Sequence, residues 1–178
     1  MNKLIYVVRH CKAEGQEPEA PLTEQGKQQA NQLAAFFHKR PDRIISSPFI
    51  RAKQSIDPLA TRWGIVIETD QRLAERVLST EDLPDWFEKL RITFEDLELT
   101  YSGGESSNEA TQRIVSVIEE LDENTSTILA THGNLLSLLL MSIDPNYGFE
   151  DWKNLTNPDV FELKLVDGKA TVRRIWEM

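Results

Sequence analysis

Four short apolar runs, each followed by a stretch with helical spacing, constrain this chain more than any other feature of its sequence. They are residues 4–8 (LIYVV), Arg43–Ser46 (RIIS), 65–68 (IVIE) and 127–130 (TILA). An unbroken run rich in β-branched residues fits a strand covered on both faces, as in a parallel sheet. The intervening segments carry the helical period. Thr23 caps a predicted helix running to about residue 39, with Ala30, Leu33, Ala34 and Phe37 on one face and Pro41 as its stop. Pro48 sits where a second helix can begin; Ile56 and Leu59 carry it on, and Pro58 is expected to bend or shorten it. Residues 81–99 read as irregular helix with Trp86, Phe87 and Phe94 available for packing. Ser106 and Glu109 have capping-box spacing ahead of a stripe of Ile114, Val117, Ile118 and Leu121, and a further helix is expected around residues 135–141. At the end, VFELKLV and ATVRRIW flank Asp167-Gly168, a hairpin signature. The expected fold is one three-layer α/β/α domain over residues 1–178, with a mostly parallel sheet and a C-terminal antiparallel hairpin.

Composition narrows the partners. A net charge of −9 argues against nucleic acid and anionic membrane surfaces, which attract clustered Lys and Arg. The start MNKLIYVVRH lacks the long apolar region and cleavage site of a signal peptide, and residues 135–141 are too short to span a bilayer. With Cys11 the only cysteine, no internal disulfide forms, and a cytoplasmic location is expected.

Two of the three histidines occupy equivalent places: His10 follows the first strand in VVRHC, and His132 follows the fourth in LATHGN. Parallel sheets present ligands beyond the carboxyl ends of their strands, so the two can converge over one crevice. Ser46-Ser47-Pro48-Phe49-Ile50-Arg51 delivers Arg51 from a third such end. Arg9, His10, Arg51 and His132 would then form a basic patch on an acidic protein, suited to a phosphate. Arginine has no lone pair to give a metal, and no HExxH, Cys-pair, Walker, GxGxxG or GxSxG pattern is present, so neither metal nor organic cofactor is expected. His38, beside basic residues at the end of the first helix, is assigned to the helix dipole. Taken alone, Glu75 reads as a salt-bridge partner for Arg72 or Arg76.

Arg9-His10-Cys11, 21–26 (PLTEQG), 46–55 (SSPFIRAKQS), 73–76 (LAER), 103–106 (GGES) and 131–134 (THGN) together resemble the histidine phosphatase superfamily, also called phosphoglycerate mutase-like, in its motif order. The resemblance implies that His10 is the phosphorylated nucleophile. It makes Arg9, Arg51 and His132 the groups that bind and neutralise the phosphoryl group, with Gly133 beside them, and Glu75 the proton donor and later the base. Gln16 stands where the family often has asparagine and would donate an amide hydrogen bond to phosphate. Cys11 and Ala13 depart from the family's usual glycine and hydroxyl residue. The expected activity is metal-independent hydrolysis of a small phosphorylated metabolite by a monomer or small homo-oligomer. Phosphoglycerate mutase and a non-catalytic phosphate-binding regulator stay open as alternatives.

Overall fold

The computed structural model describes residues 2–177. Among them, β1 (Asn2–Arg9), β2 (Arg43–Ser46), β3 (Ile67–Thr69), β4 (Thr125–Thr131), β5 (Asp159–Val166) and β6 (Lys169–Arg174) form one sheet in the order β3-β2-β4-β1-β5-β6. The first four run parallel, whereas β5 is antiparallel to both β1 and β6. The helices are α1 (Glu24–Phe36), α2 (Ile50–Trp63), α3 (Trp86–Ile92), α4 (Ser107–Glu119), α5 (Gly133–Ile143) and α6 (Phe149–Lys153), with a 3-10 turn at Gln71–Leu73. This is the expected mixed α/β arrangement with a largely parallel sheet and a terminal antiparallel pair.

Successive strand residues point to opposite faces, and both faces are covered. Val7 packs with Ile45, Leu129, Ile114 and Leu135 on the side of α4 and α5. Its neighbour Val8 packs with Ile44, Ile128, Leu33 and Ile56 on the side of α1 and α2. That double burial explains why the central strands read as apolar runs without alternation.

Local chemistry sets the boundaries, and several differ from expectation. α1 starts where Thr23 Oγ1 accepts from Gly26 N at 2.9 Å, but it stops at Phe36 rather than near residue 39. Phe37 turns to extended backbone and buries its ring against Tyr6 and Phe36, a gain that another turn of exposed His38 and Lys39 would not match. His38 is therefore exposed beyond the helix rather than in its last turn. α2 continues through Pro58 to Trp63, held by buried Ala52, Ile56, Leu59 and Ala60 although the proline removes one amide donor. Gly64, left-handed at φ 66°, closes α2 with Ile65 N bonded to Ala60 O. That closure consumes the start of the expected third strand, so β3 begins at Ile67. Only Trp86–Ile92 of the irregular segment 81–99 is α-helical. Ser106 and Glu109 form the expected reciprocal capping box, at 3.0 Å in both directions. The hairpin turns on Asp167 (φ 50°) and Gly168 (φ 80°), as a two-residue primed turn requires. No helix among the described residues is long and apolar enough to cross a membrane.

For the site, register is decisive. Arg9 lies opposite Thr131 and Ser46 opposite Ala130, so β1, β4 and β2 end together and release His10, His132 and Ser47 at one edge of the sheet. His10 N donates to Thr131 O at 3.2 Å and Ser47 N to Ala130 O at 2.8 Å, continuing the ladder just past the strand ends.

Candidate active site

His10 is buried, and its two ring nitrogens have opposite tasks. Nδ1 lies 2.7 Å from the carbonyl oxygen of Cys11, which can only accept, so Nδ1 carries the proton. Nε2 then bears the lone pair and accepts from Arg51 Nε at 3.3 Å. The Cys11 carbonyl is itself held in place, because Cys11 N donates to Ser55 Oγ at 2.7 Å and Ser55 Oγ donates to Arg51 O at 2.7 Å. Asn157, from the loop after α6, donates to His10 O at 3.0 Å. Burial lowers the His10 pKa to about 4; the Cys11 hydrogen bond opposes it, and the smaller effects of the Arg51 and Arg9 charges add to the lowering. The imidazole is neutral at neutral pH, with one tautomer and one available lone pair.

His132, fully buried, packs edge-on to His10 with ring centroids 5.1 Å apart and contacts Phe49 at 4.8 Å. Its Nε2 is 2.8 Å from Ser47 Oγ. Burial, followed by the charges of His10, Arg51 and Arg9, pushes its pKa well below the usual value. Here its surroundings are cationic and the ring is neutral; a bound phosphate would reverse that bias.

Arg51 is 1% exposed, donates from Nη1 to Glu17 O at 2.7 Å and lies over the Phe49 ring at 5.0 Å. Arg9 reaches Leu155 O at 3.3 Å through Nη1 and lies flat against Gly133, where an added Cβ would stand 2.9 Å from Arg9 Nε. Desolvation lowers the pKa of both guanidiniums. Arg9 Nε, His132 Nδ1 and Asn134 Oδ1 are buried without a protein partner among the described residues. Such atoms cost stability unless a ligand uses them.

Glu75 is not the salt-bridge partner its flanking arginines suggest. Arg72 pairs with Asp70 and Glu120, and Arg76 turns to Glu105 O, Thr93 and Ser107. The Glu75 carboxylate instead accepts from Asn134 N (3.0 Å), Leu135 N (2.9 Å) and Arg76 N (2.8 Å). It thereby caps α5, whose N-cap residue His132 makes no side-chain cap bond, and a negative charge is favourable at a helix N-terminus. This remote cap brings Glu75 beside Gly133, and hence beside Arg9.

The structure thus gathers Arg9, His10, Arg51, Glu75, His132 and Gly133. Gln16 is different: it is exposed on the loop whose neighbouring Glu17 carbonyl meets Arg51, and no hydrogen bond joins it to the basic cluster among the described residues. Cys11 is buried, and burial pushes its thiol up to about 11 against the lowering effect of the Ser55 hydrogen bond, which leaves no thiolate near neutrality. Ser47, Ser55 and Asn157 were not assigned roles from sequence. Ser47 and Ser55 fall inside a quoted motif, whereas Asn157 carries no local signal.

An α/β fold with two strand-end histidines and two arginines at one sheet edge defines a class of phosphate-handling site. The chain belongs to the histidine phosphatase superfamily (branch 1), whose sequence pattern matches residues 5–177. It is 27% identical over 160 residues to a probable phosphoglycerate mutase, GpmB, of Shigella dysenteriae serotype 1 (strain Sd197), covering 78% of this chain and 74% of the relative. Its fold is similar to a mycobacterial glucosyl-3-phosphoglycerate phosphatase, with a TM-score of 0.77, 23% identity and coverage of 98% and 97% of the two chains. An Entamoeba histolytica phosphoserine phosphatase mutant in complex with phosphoserine is similar at a TM-score of 0.77 and 19% identity, covering 96% of this chain and 94% of that one.

The buried neutral histidines have a consequence for stability. A histidine whose folded pKa lies below its unfolded value of about 6.5 contributes nothing above that pH, where both states are neutral. As pH falls from about 6.5 to about 4, only the unfolded chain takes up the proton. His10 alone should then cost about 3 kcal/mol, and His132 acts in the same direction. Urea unfolding midpoints across this window should fall with pH, and less steeply in a His10→Gln variant. Equal slopes would show that His10 is not held neutral.

Proposed function

We propose that the protein is a metal-independent phosphomonoesterase acting on a small phosphorylated metabolite through a phosphohistidine at His10. The observation that carries this reading is the fixed tautomer of His10. Its Nε2 lone pair lies among donors suited to phosphoryl oxygens, and its Nδ1 proton is tied to the Cys11 carbonyl.

The Arg51–Nε2 hydrogen bond is long enough to yield to substrate. Arg51 and Arg9 then hold the non-bridging oxygens while Nε2 attacks phosphorus, and the bond from phosphorus to the ester oxygen breaks. His132 donates a hydrogen bond where negative charge grows. Glu75, taking up a proton before each turnover, delivers it to the leaving oxygen; as a carboxylate it then removes one from the water that attacks phosphohistidine. That second step regenerates neutral His10 and releases phosphate.

Hydrolysis requires water to reach phosphohistidine. Between Arg76 and Gly103 the chain forms one short helix, α3, and leaves Trp86 and Phe87 exposed, which supports an open site. The likeness to a probable phosphoglycerate mutase supports the mutase as a second reading. A panel of p-nitrophenyl phosphate and metabolite phosphates, assayed with a chelator for hydrolysis and isomerisation side by side, separates them. Phosphate release should be undiminished by the chelator and should exceed isomerisation. Isomerisation exceeding release would establish the mutase, and binding without either turnover would establish a regulator.

A further inference from the structure

Arg113, on α4, lies outside the histidine cluster, yet its guanidinium is spent on the segment that carries Glu75. Nη1 donates to Arg72 O at 2.7 Å and to Ala74 O at 3.1 Å. Nε donates to Glu105 Oε2 at 3.0 Å, and Nη2 completes a two-pronged pair with Glu105 Oε1. Glu105 Oε1 also accepts from Val77 N at 3.1 Å, while the Glu105 backbone carbonyl accepts from Arg76 Nε and Nη2 at 3.3 and 3.0 Å. Between these anchors, Leu73 O accepts from Thr131 Oγ1 at 2.7 Å, at the end of β4. Residues 72, 73, 74, 76 and 77 are therefore each tied down, and residue 75 alone directs its side chain to the N-terminus of α5.

We infer that Arg113, clamped by Glu105, is a positioning residue that holds Glu75 in line for proton transfer to the leaving oxygen. The inference rests on the acid–base role proposed above for Glu75. A pair serving stability alone would need only its two charged partners, and exposed pairs of that kind contribute little. This pair is mostly buried, at 24% and 19% side-chain exposure, and its remaining donors and acceptors go to the backbone on both sides of Glu75. A carboxylate displaced by about an ångström loses much of its value in proton transfer, since the reacting atoms must meet in line. The Arg72 side chain supplies a contrast, because it pairs with Asp70 and Glu120 and only the Arg72 backbone carbonyl meets Arg113.

The test exploits leaving-group chemistry. p-Nitrophenolate departs without protonation, whereas an alkoxide does not, so a defect in the acid must weigh on alkyl phosphates. kcat/KM covers only the steps up to departure of the leaving group, and water attack on phosphohistidine drops out of it. Glu75→Gln, Arg113→Gln, Arg113→Lys and Glu120→Gln are compared with the parent on p-nitrophenyl phosphate and on an alkyl phosphate that the parent hydrolyses. Arg113→Gln should lower kcat/KM about tenfold or more for the alkyl ester and less than about threefold for the aryl ester, the pattern of Glu75→Gln on a smaller scale. Arg113→Lys, with one ammonium in place of the fork, should recover part of the loss. Glu120→Gln should change neither substrate. Added to Glu75→Gln, the Arg113→Gln change should cost nothing further, because both act through one carboxylate.

An Arg113→Gln variant that loses equally on both esters, or on neither, while Glu75→Gln discriminates between them, overturns the inference and leaves the role of Glu75 standing. If Glu75→Gln itself shows no discrimination, the acid–base assignment fails and the inference falls with it. Should Arg113→Gln fail to fold, Arg113→Lys and Glu105→Gln carry the same comparison, with thermal midpoints recorded alongside.

Discussion

Replacing His10 by alanine should lower kcat for phosphate release about 10⁴-fold or more, while inorganic phosphate still binds. The size of the effect follows from the absence of a substitute nucleophile. His132 has one ring nitrogen engaged with Ser47, and the Cys11 thiol is held protonated by burial. Phosphate should still bind because Arg9, Arg51 and His132 keep their own supports: the Leu155 carbonyl and Gly133 for Arg9, the Glu17 carbonyl for Arg51 and Ser47 for His132. The measurement pairs steady-state rates with rapid quenching into alkali, which preserves phosphohistidine, followed by mapping of the labelled peptide. Turnover that survives in His10→Ala, or label that maps to another residue in the parent, would remove the nucleophile assignment.

Arg51→Met should show activity and stability moving apart. The guanidinium is almost completely buried, and desolvation lowers its pKa, so the folded state bears the cost of a charge with no carboxylate hydrogen-bonded to it. A methionine of similar length removes that cost and packs beside Phe49 and buried Ala52, while the Glu17 carbonyl, on an exposed residue, can turn to water. The thermal midpoint should rise by a few degrees. Activity should fall about 10²- to 10³-fold, since a donor aimed at developing phosphoryl charge is lost. The acid limb of the rate profile should also move upward, because the Arg51 charge is one of the causes holding the His10 pKa down. Differential scanning fluorimetry and a pH–rate profile on one substrate would decide the matter. A lowered midpoint together with an unmoved acid limb would show that Arg51 is structural rather than electrostatic.

The fold was legible where local chemistry and packing agree. The apolar runs became β1, β2 and β4 because residues such as Val7 and Val8 bury on opposite faces of one sheet, whereas β3, at the sheet edge, leaves Glu68 and Thr69 exposed. Ser106 with Glu109, and Asp167 with Gly168, act within a few residues of themselves, so their capping box and tight turn could be read directly. Boundaries failed where a distant partner or a local glycine cap intervened. Phe37 left its helix to reach Tyr6 on β1, and the closure of α2 at Gly64 took the first residues of the expected third strand.

At the site, the sequence by itself determined that two histidines and two arginines leave or adjoin strand ends, and its motif order pointed to the superfamily. Tertiary structure alone decided how they meet. The sheet order sets β1 beside β4 and β4 beside β2, which brings His10, His132 and Ser47 to one edge from far apart in the chain. It also turned Glu75 away from its neighbouring arginines to cap α5, left Gln16 exposed, and made His132 neutral by burial. The reason is physical. A side chain's type and its strand or helix follow from near neighbours, whereas its proton, tautomer and aim follow from desolvation and from charges that the packed fold alone brings close.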